Sequence, residues 1–135
     1  MLKSLGIIAI LVFATPAFAA TCLPYEPAQV SITGKVTMAK GYGPPNFGED
    51  PAHDQIEVYP LLSLDRPTCV SGGQDPMDEN VAQIGAVQLV PKTPGQRFDS
   101  HLIGPHVAVS GTLFHRTSGG HTEVMLMYTN ARKAP

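Results

Sequence analysis

Apolar and polar side chains alternate along several stretches of this chain. The clearest run extends from Val30 to Met38, where apolar residues and Gly34 alternate with serine, threonine and lysine. Such alternation is typical of a β-strand with one buried face, and a central glycine favours a bulge or a tight coil. We therefore predict a first strand over 30–38, ended by the turn sequence GYGPPNFG at 41–48, whose consecutive prolines cannot donate ladder hydrogen bonds.

A second strand is predicted over 55–64, with Ile56 and Val58 on one face. Pro60 interrupts its hydrogen-bonding ladder, which favours a sheet edge or a bulge. The segment 64–69 is predicted to turn away from the sheet, because it contains Asp, Arg and Pro in succession.

The C-terminal half predicts a third strand over 81–90 and a closing pair of strands within 106–127. Residues 96–103 fit one or two helical turns, stopped by the Gly-Pro pair that follows. Thirteen Gly and thirteen Pro leave little room for long helices. The predicted fold is therefore all-β, a small five-stranded OB-like Greek-key barrel with one short helix between strands three and four. A small β-sandwich is the alternative.

The register of the closing hairpin decides whether its histidines can act together. A four-residue loop at 117–120 places Leu113 opposite Val124 and makes one face coherently apolar. In that register His115 and His121 lie on opposite faces and cannot share a metal ion. A five-residue loop would instead set Leu113 against Glu123, and burying an unpaired carboxylate is unfavourable.

The N-terminus predicts a signal peptide rather than part of the fold. Lys3 supplies a positive charge, residues 5–13 are apolar, and Ala17-Phe18-Ala19 has the small residues that a signal peptidase accepts. We predict cleavage after Ala19, a signal peptide over 1–19 and a single domain over 20–135. The location is then periplasmic or secreted, with no membrane anchor after cleavage.

Cys22 and Cys69 are the only cysteines. In an exported chain two cysteines normally form a disulfide. In the chain-entropy model, a loop of this length gives about 4 kcal/mol of stabilisation. A redox or metal-binding pair would need closer spacing, such as C-x-x-C.

Charge and motifs exclude some classes of function. Nine basic residues against eleven acidic ones are spread along the chain, whereas nucleic acid needs a concentrated basic surface. No nucleotide-binding, hydrolase or metalloprotease motif is present in the sequence, so no cofactor is predicted. His53, His115 and His121 are weak metal-ligand candidates, because their spacing fits no known ligand set.

Several short motifs together resemble one family. They are Tyr25-Glu26-Pro27 after Cys22, the strand VSITG, the loop GPPNFG, the segment LDRPTC, VSGTLF, and GHTEV near the end of the chain. This set is similar to a bacterial family of domains of unknown function numbered 4431. The resemblance implies export, a disulfide and a single β domain. The family has no assigned activity, so no catalytic residue follows from it.

Two classes of function follow from the exposed features. The first is an exported binding module for an unknown protein or small-molecule partner in the cell envelope. Inhibition of a protein partner is one form that this function can take. Its candidate binding residues are Tyr42, Asn46, Phe47, Arg116 and His121; the two aromatic rings either contact the partner or brace their loop. The second class is a histidine-dependent metal-binding protein or hydrolase, and an envelope stress or structural role is a further alternative.

Overall fold

A computed structural model describes residues 21–117 and 119–135. The predicted signal peptide lies outside these residues. The secondary-structure elements are β1 (Leu23–Pro24), β2 (Val30–Tyr42), β3 (Ile56–Ser71), β4 (Val81–Pro91), a 3-10 helix (Ser100–Leu102), β5 (His106–His115) and β6 (Val124–Lys133). No helix in the described ranges is long and apolar enough to cross a membrane.

Strands β2 to β6 close into a five-stranded barrel. Strands β2, β3 and β4 form an antiparallel meander, β2 also pairs with β5, and β5 pairs with β6. Parallel pairing of β4 with β6 closes the ring, and β1 adds a short parallel strand on β3. This order is that of an OB-type Greek-key barrel, so the predicted fold class is confirmed.

The predicted short helix is reduced to one 3-10 turn over Ser100–Leu102. Asp99 caps it by accepting the His101 N–H at 2.9 Å. The turn ends because Ile103 returns to extended backbone and forms a parallel bridge with Val36. The helix is therefore shorter than predicted because the chain returns to the sheet at Ile103.

The barrel interior is filled by side chains from all five long strands. Burying an aliphatic side chain contributes about 1.5 to 3 kcal/mol, so these positions dominate the stability of the domain. The buried core side chains on the five strands are Val30, Ile32, Val36, Leu62, Val70, Val81, Ile84, Val87, Leu89, Val107, Val109, Leu113, Val124, Leu126 and Tyr128.

The disulfide joins Cys22 to Cys69, as predicted. It lies beside the parallel pairing of Leu23 with Val70. The prediction that 64–69 turns away from the sheet is wrong, because β3 continues through this segment to Ser71. The segment remains in the sheet because β1 and the disulfide hold it on one side while β4 pairs with Thr68 and Val70 on the other.

The closing hairpin differs in register from the prediction. Leu113 lies opposite Leu126 rather than Val124, and His115 lies opposite Val124. The loop is therefore longer than four residues, because the ladder ends before Arg116. A shift of two residues preserves the alternation, so the predicted apolar face is kept even though each partner changes.

An exposed pair of side chains links β3 to β5 across β2. The carboxylate Oδ2 of Asp65 lies 2.7 Å from Nε2 of His106. Hydrogen bonds from the side chains of Thr33 and His106 hold the pKa of Asp65 below its usual value. The hydrogen bond to Asp65 raises the pKa of His106.

Gly34 occupies a place where no side chain fits. A Cβ atom built there would overlap the carbonyl oxygen of Ser63 on β3. Gly85 on β4 differs, because a Cβ atom there would have nothing within 4 Å. A side chain at Gly34 is therefore excluded by the backbone of β3, and the two glycines form a matched pair for mutation.

Gly34→Ala is expected to lower the free energy of unfolding by at least about 2 kcal/mol, because the methyl group forces β2 and β3 apart. Gly85→Ala should stay within about 1 kcal/mol of the wild type or stabilise it. Urea denaturation followed by circular dichroism measures both. Equal effects at the two positions would contradict the close approach at Gly34.

The Asp65–His106 pair predicts a specific pH window. Stabilisation from Asp65 is present above its unfolded pKa and is lost as pH falls through its lowered folded pKa. Stabilisation from His106 is present below its unfolded pKa and is lost as pH rises through its raised folded pKa. Both act together between about pH 4 and pH 6.5.

The melting temperature of the wild type should therefore exceed that of Asp65→Asn most in this pH window and less above it. Glu49→Gln, which removes an exposed carboxylate outside the pair, should show no such maximum.

Candidate functional site

The β2–β3 hairpin extends beyond the barrel. Residues 37–42 of β2 pair with 56–61 of β3. The pairing of β5 along β2 ends at Lys35, and that of β4 along β3 begins at Leu61. The end of the hairpin therefore has two faces that the barrel strands do not cover. One face is exposed to solvent, and the β5–β6 loop covers the other.

One face carries exposed apolar side chains. Tyr42 lies opposite Ile56, and Lys40 lies opposite Val58, so these side chains project to the same side. Ile56 is 61% exposed and Val58 is 57% exposed. The predicted shared face of these two residues is confirmed, but it lies in solvent because the barrel ends before it.

The opposite face is covered by His121 from the β5–β6 loop. Its imidazole stacks on the ring of Tyr59, with centroids 4.1 Å apart and planes 3° apart. Its Nε2 atom lies 3.0 Å from Oε2 of Glu57, and its side chain is only 11% exposed. A Cβ atom at Gly41 would overlap the imidazole ring. We call Gly41, Glu57 and Tyr59 the histidine seat.

The β5–β6 loop is also fixed to β4 by hydrogen bonds. The backbone N–H of His121 donates to Oε1 of Gln88 at 2.9 Å. The N–H of Gln88 donates to Oγ1 of Thr122 at 2.9 Å, and that hydroxyl donates to the carbonyl of Val124 at 2.7 Å. The loop therefore meets the hairpin in a defined position.

The β2–β3 loop is held by Asp54. Its two carboxylate oxygens accept the N–H groups of Asn46 and Gly48, each at 2.7 Å. Desolvation raises the pKa of Asp54, but these hydrogen bonds outweigh it and the pKa lies below its usual value. Between the two amides, Phe47 adopts a left-handed backbone with φ of 51°. This conformation is uncommon outside glycine and is maintained by the surrounding contacts.

The two aromatic residues of this loop partly brace it and partly face solvent. The ring of Phe47 lies against Gly119, where a Cβ atom would be 2.7 Å from its Cε1 atom. The ring of Tyr42 lies close to Gly48. Tyr42 nevertheless remains 42% exposed and Phe47 46% exposed. Each ring can therefore both brace the loop and offer surface to a partner.

The other candidate residues lie near the contact between Phe47 and Gly119. Asn46 is exposed, and its backbone N–H donates to Oδ1 of Asp54 at 2.7 Å. Arg116 is exposed and donates through Nη1 to the carbonyl of Gly120 at 3.3 Å. His121 lies beneath the loops in its seat. The structure thus brings the five predicted residues to the two loops that meet at the end of the hairpin.

The histidines proposed as metal ligands lie near different carboxylates. Nδ1 of His53 is 2.7 Å from Asp50 in the β2–β3 loop, and His121 bonds Glu57. Nε2 of His115 is 3.5 Å from Glu123, within ion-pair distance but without a hydrogen bond. Within residues 21–117 and 119–135, no group of three or more His, Cys, Asp or Glu side chains is arranged to hold a metal ion.

Residues 86–131 match the family model of a domain of unknown function, DUF4431. The resemblance is confirmed over this segment. The match runs from within β4 to within β6 and includes the β5–β6 loop. The β2–β3 hairpin and the disulfide lie outside it. No curated protein and no solved structure matches the chain.

Sequence reasoning did not identify the histidine seat. Glu57 and Tyr59 alternate with Ile56 and Val58, so the pattern predicts that they project to the other face. The pattern does not predict that a loop more than sixty residues away covers this face, because that contact depends on how the barrel closes.

The histidine seat predicts a coupling between Gly41 and His121. Gly41→Ala should lower the free energy of unfolding by about 1 to 3 kcal/mol, because its methyl group displaces the imidazole. In a His121→Ala background the same change should be nearly neutral, giving a coupling energy of about 1 to 3 kcal/mol in a double-mutant cycle. Urea denaturation of the four proteins measures it. Additive effects would show that the imidazole is not held against Gly41.

Proposed function

We propose that this chain is an exported binding module that holds a protein partner with its loop face. The loop face consists of Tyr42, Asn46, Phe47, Ile56 and Arg116. The observation that carries the proposal is that Tyr42 and Ile56, at the ends of β2 and β3, and Phe47, in the loop between them, remain between 42% and 61% exposed. Tyr42 and Ile56 are directly paired, and an exposed apolar patch on a small protein is typical of an interaction site.

The rigidity of the loop face favours binding. Asp54 fixes the backbone on both sides of Phe47. On the opposite face of the hairpin, His121 packs against the histidine seat. Side chains held in place before association lose less entropy on binding. We therefore assign His121 a supporting role beneath the face, and Tyr42 and Phe47 the role of aromatic anchors, a residue type enriched at interface hot spots.

The fold supports the same location for binding. OB-type barrels commonly bind ligands on the face of their second and third strands and with the loops after the first and fourth strands. In this chain the first and fourth barrel strands are β2 and β5. The loops that follow them are 43–55 and 116–123, and they contact each other through Phe47 and Gly119. This likeness is one of architecture, and it supports the position of the face rather than the nature of the partner.

Export is supported by two independent features. The sequence begins with Lys3, an apolar run over 5–13 and the Ala17–Ala19 motif. The disulfide between Cys22 and Cys69 is of the kind that persists in oxidising compartments. We propose that the mature domain acts in the periplasm or outside the cell.

Export predicts the chemical form of the protein in its cell. Mass spectrometry of a periplasmic extract or of the culture medium should find a chain that begins at Ala20. Its two cysteines should resist alkylation until a reductant is added. A cytoplasmic chain that retains residues 1–19 and reacts with the alkylating reagent directly would contradict export.

The loop face predicts position-dependent crosslinking in the living cell. A photo-crosslinking amino acid at position 47 should give one discrete protein adduct. Tyr42→Ala should reduce this adduct at least tenfold while changing the free energy of unfolding by less than about 1 kcal/mol, as is usual for exposed positions. The same amino acid at position 82, which is exposed on β4, is the control. Equal adducts at both positions, or none at 47, would contradict a protein partner and favour a structural role in the envelope.

A further inference from the structure

A cavity of about 510 Å³ opens at the end of the barrel, beside the apolar face of the hairpin. Its walls include Met38, Val58, Leu89 and Phe98, and its polar lining includes Arg97 and Tyr128. Small-molecule sites usually have volumes of about 300 to 1,000 Å³, with mostly apolar walls and a few polar groups. The cavity has both properties.

Tyr128 lines this cavity, and its hydroxyl is an unused polar group. Its side chain is 5% exposed and packs edge-on against Phe98, with ring centroids 5.4 Å apart. Its hydroxyl oxygen is buried and has no hydrogen-bond partner among the residues that the structure describes. Burial raises the pKa of this hydroxyl, so it remains protonated at neutral pH and can donate a hydrogen bond. Buried polar side chains without any partner are rare in native proteins.

Arg97 supplies the positive charge. It is exposed, and it lines both this cavity and a neighbouring one of about 190 Å³, as Tyr128 does. Among the described residues it forms no ion pair. Asp99 lies two positions away but lines only the smaller cavity, and its Oδ1 atom caps the 3-10 turn. A guanidinium group is well suited to a carboxylate, because it offers paired donors with a permanent charge.

We propose that this cavity binds a free single-chain carboxylic acid, such as a medium-chain fatty acid. Its hydrocarbon chain lies along Met38, Val58, Leu89 and Phe98, and its carboxylate is held by Arg97 and Tyr128. The apolar walls select the chain, and the charge of Arg97 selects an anionic head group. This site is separate from the loop face and does not depend on a protein partner.

Laurate is the probe for this site, used below its micelle concentration in isothermal titration calorimetry with the full purified chain. Laurate should bind saturably with one molecule per chain. Dodecyltrimethylammonium, which has the same chain length and the opposite charge, should bind at least tenfold more weakly. Anionic phospholipid vesicles should not compete with laurate for the protein.

Two cavity variants and one control locate the site. Arg97→Gln should weaken laurate binding at least tenfold, and Tyr128→Phe should weaken it severalfold because the ring is kept and only the hydroxyl is lost. Arg132→Gln removes an exposed arginine of β6 outside the cavity and should leave the affinity unchanged. Thermal melts establish that each variant is folded, and Arg97→Gln alone decides the result if Tyr128→Phe does not fold.

The proposal would be overturned by no saturable binding of laurate, by equal binding of the two amphiphiles, or by equal effects of Arg97→Gln and Arg132→Gln. Binding to anionic vesicles in preference to laurate would also overturn it, because the surface would then recognise a membrane rather than a free acid. None of these results bears on the crosslink at position 47, so this site and the proposed protein partner are tested separately.

Discussion

Strand β2 pairs with β3 on one edge and with β5 on the other, and Gly34 lies at the point where both neighbours approach. It is opposite Leu64 in one ladder and Val107 in the other, and a side chain there would overlap the backbone of β3. The close approach of β2 and β3 at this point therefore depends on a residue without a side chain. The ring that β4 and β6 close includes both of these strands.

Closure of the barrel also determines which parts of the chain remain uncovered. Because β2 and β3 are longer than the ladders of β5 and β4 beside them, the end of their hairpin projects past the core. One of its faces is covered by the imidazole of His121, and the other stays in contact with solvent. The same pair of strands thus provides a packed support, an exposed apolar face and one wall of the cavity.

The histidines illustrate why residue type alone is a weak guide to chemistry. Four of them lie within 3.5 Å of a carboxylate, but each has a different partner in a different part of the fold. His121 closes a loop onto a sheet, and His106 links two strands across a third. Their distribution fits structural roles better than a shared ion, and it directs attention from the histidines to the aromatic and apolar side chains around them.

Much of the architecture followed from the sequence. Period-two alternation identified the strands, the two cysteines predicted their bond, and the order of elements predicted an OB-type barrel. These features depend on local backbone preferences, on the alternation of the pleat and on residue count, all of which a linear pattern records. The sequence pattern also identified four candidate residues, because the segments that contain them interrupt the alternation. They are Tyr42, Asn46, Phe47 and Arg116.

Only the tertiary structure decided the register of the closing strands, the continuation of β3 through 64–69, and the contacts made by His121 and Tyr128. A shift of two residues leaves the apolar alternation unchanged, so the pattern cannot distinguish Val124 from Leu126 as the partner of Leu113. The histidine seat and the cavity each combine residues from distant strands. Their existence depends on how the sheet curves and where neighbouring strands end, and these properties arise from packing of the whole barrel rather than from any one segment.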